Sequence, residues 1–414
     1  MAYSRTRDSR GLNIPEYQSG SAQNVRYETV SIPSSSQVAF SGYSLFDFKE
    51  KSCLINEVIL QFKVNSLSAG PISRNYPNFN PAFHWFSRIE VVQHNQILDT
   101  IYPHSNFLQH QLFITDEERQ KVNEGAGNYQ SIRKCHLKTI NRDEFWYVPL
   151  WSYFRAGRIP CLYPKDDLQI RLYMDSLDNN INYEPDTTKW PNGAWVQPTA
   201  ALTCNLIVNL TRLGPELNLA RIQSLNRGPE HYKFLEMRYG TTSIPVNNNP
   251  SPQFNYVLNS VTGNVVFFLA VIRPPLHSNR LPVEAGVAYQ PCRYTPVLNF
   301  SLVDSTSTNI SGGQPIPMSL VQHYLSRKWT TSSYYEDIGE DGVSKSNAVM
   351  YSFANDPSSA ANYGASSGSH RFLGSEQLQL TFASPITQGL TLDIYAYVKA
   401  SLEFTPVYIK KLTS

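Results

Sequence analysis

Residues 25–33 read VRYETVSIP and residues 237–245 read MRYGTTSIP. Six of the nine positions are identical, at an offset of 212. Two more features recur in the same order. Asp167-Leu168-Gln169-Ile170 returns 210 residues on as Gln377-Leu378-Gln379-Leu380, and an apolar strand pattern ending at Val64 has a counterpart 208 residues on, ending at Ile272. Self-similarity at a nearly constant offset marks duplicated structural units. The 414 residues then divide into two copies of one fold, each large enough to bury its own core. The expected division is an arm over 1–24, a first copy over 25–213, a helical linker over 214–236 and a second copy over 237–414.

Each copy reads as β-structure. Val58, Leu60 and Phe62 alternate with Ile59, Gln61 and Lys63, Leu168, Ile170 and Leu172 with Gln169 and Arg171. Leu202 to Leu210 and Leu378 to Phe382 follow the same period of two, which puts one face of a strand on a core and turns the other outward. Val265 to Ile272 is a continuous apolar run of eight, the length of a buried strand and far short of a membrane span. Charged residues are 16% of the chain against roughly 25% in an average globular protein. Aromatic, β-branched and turn-forming residues take their place.

Helix signals are short. Thr115 with Glu118 is a capping box opening DEERQKV. Pro215 is placed to start a helix through Leu225 that Gly228-Pro229 stops, and Pro317 to start another through Leu320, Val321 and Tyr324. Two all-β units with long excursions between strands favour Greek-key connections, and the double Greek key is the jelly roll. The expected fold class is therefore all-β, two tandem eight-stranded jelly rolls with short inserted helices.

A formal net charge of +2 excludes a strongly basic nucleic-acid-binding surface over the whole protein. Cys53, Cys135, Cys161, Cys204 and Cys292 include no CxxC pair and read as thiols of a reducing compartment. The first residues, MAYSRTRDSRG, lack an apolar stretch of signal-peptide kind, so synthesis in cytosol or nucleus is expected and the sequons at Asn209 and Asn309 should stay unused. The arm is polar, with Arg5, Arg7 and Arg10 as candidate contacts to neighbouring subunits or to an inner surface.

From about residue 50 to 403 the order of motifs resembles the double jelly-roll major capsid proteins of large eukaryotic DNA viruses, virophages and polinton-like elements, with adenovirus hexon a distant relative in architecture. The residues that carry the resemblance are Ser87 to Val92 followed by Gln96-Ile97-Leu98-Asp99, then Asn106-Phe107-Leu108. Val148-Pro149-Leu150-Trp151-Ser152-Tyr153-Phe154 is similar to a strand of the family, with Trp151 where the family has a second proline. Ile159-Pro160-Cys161-Leu162 and Asp167 to Leu172 come next, and Met350 to Pro357, YSFAND with flanking Met and Pro, is the most specific match.

The resemblance implies a structural protein. Three chains would form a homotrimer, a pseudo-hexagonal capsomer, tiling an icosahedral shell beside neighbouring capsomers, vertex (penton) proteins and minor capsid proteins. It implies a place in the virion, after synthesis in the host cytoplasm and assembly in cytoplasm or nucleus, with the arm against an internal membrane or the genome. No cofactor and no small-molecule substrate are implied.

The residues themselves offer little catalytic chemistry. There is no GxSxG elbow, no HExxH and no Gly-rich phosphate loop. His104 and His110 stand six apart, and the expectation is two polar residues on a short helix and no metal site. Asp166-Asp167 reads as a turn. The acidic stretch 336–342 lacks the twelve-residue frame of an EF-hand and reads as a solvated loop. Trp85, Trp146 and Trp151 are expected to pack within the first copy. The alternatives are a jelly-roll carbohydrate-active enzyme, which would need a carboxylate pair in a cleft, and a carbohydrate- or receptor-binding sandwich, which would need an exposed aromatic platform.

Overall fold

The computed structural model describes residues 25–50, 53–63, 76–77, 81–93, 95–127, 145–156, 159–161, 168–176, 181–182, 201–273, 297–332, 348–364, 367–405 and 409–413. Arg5, Arg7, Arg10, Asp166, Asp167 and the acidic stretch 336–342 lie outside them.

The first copy runs β1 (Val25–Pro33), β2 (Tyr43–Phe48), β3 (Cys53–Lys63), β4 (Phe86–Gln93), β5 (Gln96–Ile101), β6 (Phe145–Pro149), β7 (Leu168–Met174) and β8 (Ala201–Leu213). These make two antiparallel sheets, ordered β1-β8-β3-β6 and β2-β7-β4-β5. The second copy runs β9 (Glu230–Ile244), β10 (Gln253–Val257), β11 (Thr262–Arg273), β12 (Val297–Val303), β13 (Ile316–Pro317), β14 (Val349–Ser352), β15 (Gln377–Phe382) and β16 (Leu390–Phe404). Its sheets are ordered β9-β16-β11-β14 and β10-β15-β12-β13. Each of these eight strands of the first copy has its twin among the eight of the second, in the same sheet position. Each copy is a jelly roll.

The three sequence repeats fall on twin strands. VRYETVSIP is β1 and MRYGTTSIP overlaps the end of β9. Leu168 and Leu378 open the patterns of β7 and β15, and the runs ending near residues 64 and 272 are β3 and β11. Register agrees as well: Thr29 faces Asn209 of β8, and Thr241 faces Asp393 of β16.

Alternation places the cores between the paired sheets. In the first roll Val58, Leu60 and Phe62 of β3, and Ile170 and Leu172 of β7, are buried. They close over Trp85, whose ring lies 5.2 Å from Phe62 and 5.0 Å from Trp146. Leu378, Leu380, Phe382, Phe268 and Phe300 fill the second roll. Each such side chain contributes on the order of 1.5–3 kcal/mol on burial. In β11 all residues from Val265 to Arg273 are buried, so both faces of that strand are covered.

The helices are α1 (Pro81–His84), α2 (Pro103–Leu112), α3 (Asp116–Gly125), α4 (Pro215–Arg227), α5, built of Met318–Leu320, a π turn Val321–Leu325 and Ser326–Trp329, and α6 (Pro357–Tyr363). α3 has the expected capping box between Thr115 and Glu118. α4 starts at Pro215 and stops before Gly228. The strand after it begins at Glu230, inside the linker expected over 214–236, because Glu230 to Glu236 extend the ladder onto Phe404 to Val398 of β16.

Candidate assembly surfaces and the seam between the rolls

α2, the sequence PHSNFLQHQL, carries six polar or imidazole side chains, two of them His, yet all ten residues are buried. Buried polar groups need partners, and Asn106 and Gln111 of this helix find theirs on other segments. The Asn106 side-chain amide donates to the Pro149 carbonyl at 3.0 Å, and its oxygen accepts from the Trp151 backbone N–H at 2.7 Å. Gln111 and Asn123 exchange two amide hydrogen bonds of 2.7 and 3.0 Å. His110 places Nδ1 2.7 Å from the Asn106 carbonyl, which makes Nδ1 the protonated nitrogen. Burial pushes His110 down to about 3 and holds His84 and His104 well below the usual imidazole range, so all three are neutral. Among the described residues no three His, Cys, Asp or Glu side chains converge as metal ligands.

Asp99, at the end of the Gln96-Ile97-Leu98-Asp99 segment, is buried beside the same helix. One carboxylate oxygen accepts from Ser152 Oγ at 2.6 Å and Tyr153 N–H at 3.2 Å, the other from Thr100 N–H at 2.9 Å. Burial pushes its carboxyl up to about 6, with these hydrogen bonds opposing the shift. Three motif segments that are separate in sequence thus meet in one knot: Asp99 holds Ser152 and Tyr153, and Asn106 holds Pro149 and Trp151. The expected strand over Val148 to Phe154 ends at Pro149, because Leu150 and Trp151 turn into the knot and a 3-10 turn follows at Tyr153–Ala156.

The knot continues into the second roll. Asp356 caps α6 by accepting from Ser359 N–H at 2.9 Å. The Trp151 indole N–H donates to the Ala361 carbonyl at 3.2 Å, and Arg155, stacked 4.2 Å over the Trp151 ring, donates to Asn362 at 3.3 Å. Asn362 in turn donates to the Phe113 carbonyl at 3.0 Å. Trp85 and Trp146 do pack within the first roll, but Trp151 reaches across to the second. The motif at Met350 to Pro357 leads into the far side of the seam: its Asp356 caps α6, and Ala361 and Asn362 of that helix make the contacts.

Above the knot, α2 lies on the outer face of the β9-β16-β11 sheet. Tyr102 stacks on Tyr239 with centroids 4.3 Å apart, His104 meets Tyr395 at 3.4 Å, and Phe113 meets Phe267 edge-on at 5.2 Å. Behind Tyr239, Asp393 is fully buried, accepting from Arg273 Nε at 2.5 Å and from the Tyr239 and Thr241 hydroxyls at 2.8 Å each. Nothing in local sequence pattern marks Asp393; only its twin relation to Asn209 could have pointed to it.

The corresponding outer face of the first roll is half-exposed. Across β1, β8 and β3, Thr29 donates to Asn209 at 2.8 Å and Asn209 to Glu57 at 2.9 Å. Asn209, the sequon residue, thus spends its amide on a side-chain ladder. Gln61 bridges Asn205 and Tyr147 at 3.2 Å each. Tyr27 (69%), Phe145 and Tyr147 rim this face in the open. Polar side chains with scattered aromatics and few unpaired charges are the make-up of protein–protein contact surfaces.

The arrangement defines a class: two topologically identical jelly rolls fixed to each other by a buried helix. No family model and no curated protein matches the chain. Solved structures do. VP54 of PBCV-1, fitted into a reconstruction of the virophage Sputnik, is similar over 96% of this chain and 99% of its own, at 13% identity and a TM-score of 0.70. The Faustovirus major capsid protein is similar over 94% and 92%, at 10% identity and 0.65, and the Sputnik virophage structure over 100% and 93%, at 12% and 0.61. The chain has the fold of the double jelly-roll major capsid proteins along nearly its whole length.

Proposed function

We propose that the protein is the major capsid subunit of an icosahedral DNA virus and acts by assembly. The observation that carries the reading is the buried seam: α2 and the Asp99–Asn106–Trp151 knot make two rolls one rigid building block, which a shell tile requires and a catalytic cleft does not. The full-length fold match to capsid structures supports it. Three chains place six rolls in a ring, a pseudo-hexagonal homotrimer, and such tiles pack beside neighbouring capsomers, with penton and minor capsid proteins at the vertices and joints. The arm, with Arg5, Arg7 and Arg10, serves as a contact to the particle interior, an internal membrane or the genome. Few charges and many amide and hydroxyl groups favour the broad contacts of obligate oligomers, where buried charges are expensive to desolvate.

Light scattering after size exclusion, with electron microscopy of the same fraction, tests the proposal. The expected result is a stable three-chain species with a hexagonal outline, or closed shells. A monomer across salt and pH would overturn it and would turn attention to glycan binding.

A further inference from the structure

We propose that Cys53 and Cys161 are a redox pair: they close a cross-strand disulfide when the reduced protein meets an oxidising thiol pool, and the bridge clasps the segment that carries the seam.

The strand Ile159–Cys161 pairs with the start of β3. The ladder sets Cys161 directly opposite Cys53, Pro160 opposite Leu54 and Ile159 opposite Ile55. Directly opposite residues of an antiparallel pair have Cα atoms about 4.5–5.5 Å apart and share one face of the sheet. A disulfide spans Cα separations of about 4.4–6.8 Å. The register therefore meets the requirement without a backbone shift. The fold does not ask for cysteine here. The counterpart ladder of the second roll, β11 with His370–Leu373, sets Thr262 against Leu373. Cys204, the third cysteine among the described residues, is opposite Phe62, nine residues along β3 from Cys53. At the rise of an extended strand that is about 30 Å from the pair. Burial pushes the Cys204 thiol far up and leaves it protonated.

Cys53 is fully buried, but it is the first residue of β3. On its other side the ladder continues to Arg212, whose side chain is 35% exposed and pairs with Glu28 and Glu50. Water thus comes within one strand of the pair. Ile159–Cys161 is an outer strand, bonded to β3 alone among the described residues. Short outer strands open at low cost, which places Cys161 to react first. Its thiolate attacks one sulfur of a small disulfide such as glutathione disulfide and releases one glutathione thiolate. The Cys53 thiolate then attacks the Cys161 sulfur of the mixed disulfide and releases the second. Two protein thiols become one disulfide, the small disulfide becomes two thiols, and the two protons pass to the released thiolates.

The bridge closes the loop from residue 53 to 161. That loop contains β4, β5, α2, α3 and β6, and with them Asp99, Asn106 and Trp151. Every first-roll member of the knot lies inside it. Cross-linking a loop of roughly 100 residues restricts the unfolded chain and raises the thermal midpoint, here by about 5–15 °C.

The test uses the full-length chain, purified in reductant and then equilibrated with glutathione disulfide. Quenching with N-ethylmaleimide in denaturant and intact mass count the thiols, and peptide mapping without reduction locates the bridge. Expected are three remaining thiols of the five, one linked peptide pair containing Cys53 and Cys161, and a midpoint higher by about 5–15 °C that dithiothreitol reverses. Cys161→Ser and Cys53→Ala should each abolish the oxidative gain, and Cys204→Ala should keep both bridge and gain. Five thiols in the oxidised wild type, or a bridge between other cysteines, overturns the assignment. A bridge at Cys53 and Cys161 without the gain overturns the clasp. Thiol count and linkage are properties of one chain, so their failure leaves the capsomer reading standing, and a monomeric wild type leaves this assignment standing.

Discussion

Asp393→Asn probes the seam most sharply. The carboxylate is fully buried and gathers three donors: Arg273, Tyr239 and Thr241. Asparagine keeps the shape and supplies what the twin position, Asn209, has in the first roll. It removes the charge that compensates Arg273, itself 8% exposed. Breaking a buried pair by neutralising one partner costs about 3–5 kcal/mol. For a cooperative unit the size of the second roll, 1 kcal/mol moves the thermal midpoint by about 2–4 °C, so the midpoint should fall by roughly 6–20 °C. Scanning calorimetry at one fixed protein concentration reads this, since self-association also shifts the midpoint. Replacing both partners, Asp393→Leu with Arg273→Met, should recover part of the loss; the Tyr239 and Thr241 hydroxyls would still lack an acceptor, about 1 kcal/mol each. A midpoint within 2 °C of wild type for Asp393→Asn would refute the view that this pair is an electrostatic unit of the seam.

Asp99, its carboxyl raised to about 6, favours its protonated form in the fold. Relative to an ordinary carboxyl near 3.9, its contribution to stability is fully present below that value and falls as pH rises through about 6, by roughly 3 kcal/mol. Urea midpoints between pH 3.5 and 7 should show this component, and Asp99→Asn should flatten it. Asn106→Ala leaves the Trp151 N–H and Pro149 carbonyl without their side-chain partner, an expected loss of about 2–3 kcal/mol, and hydrogen exchange at the Trp151 amide should accelerate at least about tenfold. Gly364 ends α6 at φ +66°, and a Cβ there would meet the Lys233 carbonyl oxygen at 2.3 Å. Gly364→Ala should lower stability by about 2 kcal/mol or more, read by the same urea titration.

Much of this molecule is legible in its residues because strand pattern and repetition are local. The alternation of Val58, Leu60 and Phe62 specifies which face turns inward whatever lies opposite. The match of VRYETVSIP to MRYGTTSIP locates twin strands without any tertiary knowledge. Thr115 with Glu118, and Pro215 with Gly228, mark helix ends through backbone groups a few residues away.

The seam was not legible, for the opposite reason. PHSNFLQHQL looks half-solvated on its own, and its burial depends on Pro149, Trp151, Tyr239 and Tyr395, between 40 and 300 residues distant. Trp151 carries no sign that its indole will meet Ala361 of the other roll. Tyr27 and Tyr239 make the point most directly. Sequence alone determined that the two are equivalent positions of twin strands, since the match of VRYETVSIP to MRYGTTSIP sets one against the other. Only the tertiary structure decided that one is stacked and the other open, because burial is set by what the rest of the chain brings against a face, and α2 is brought against just one of the two.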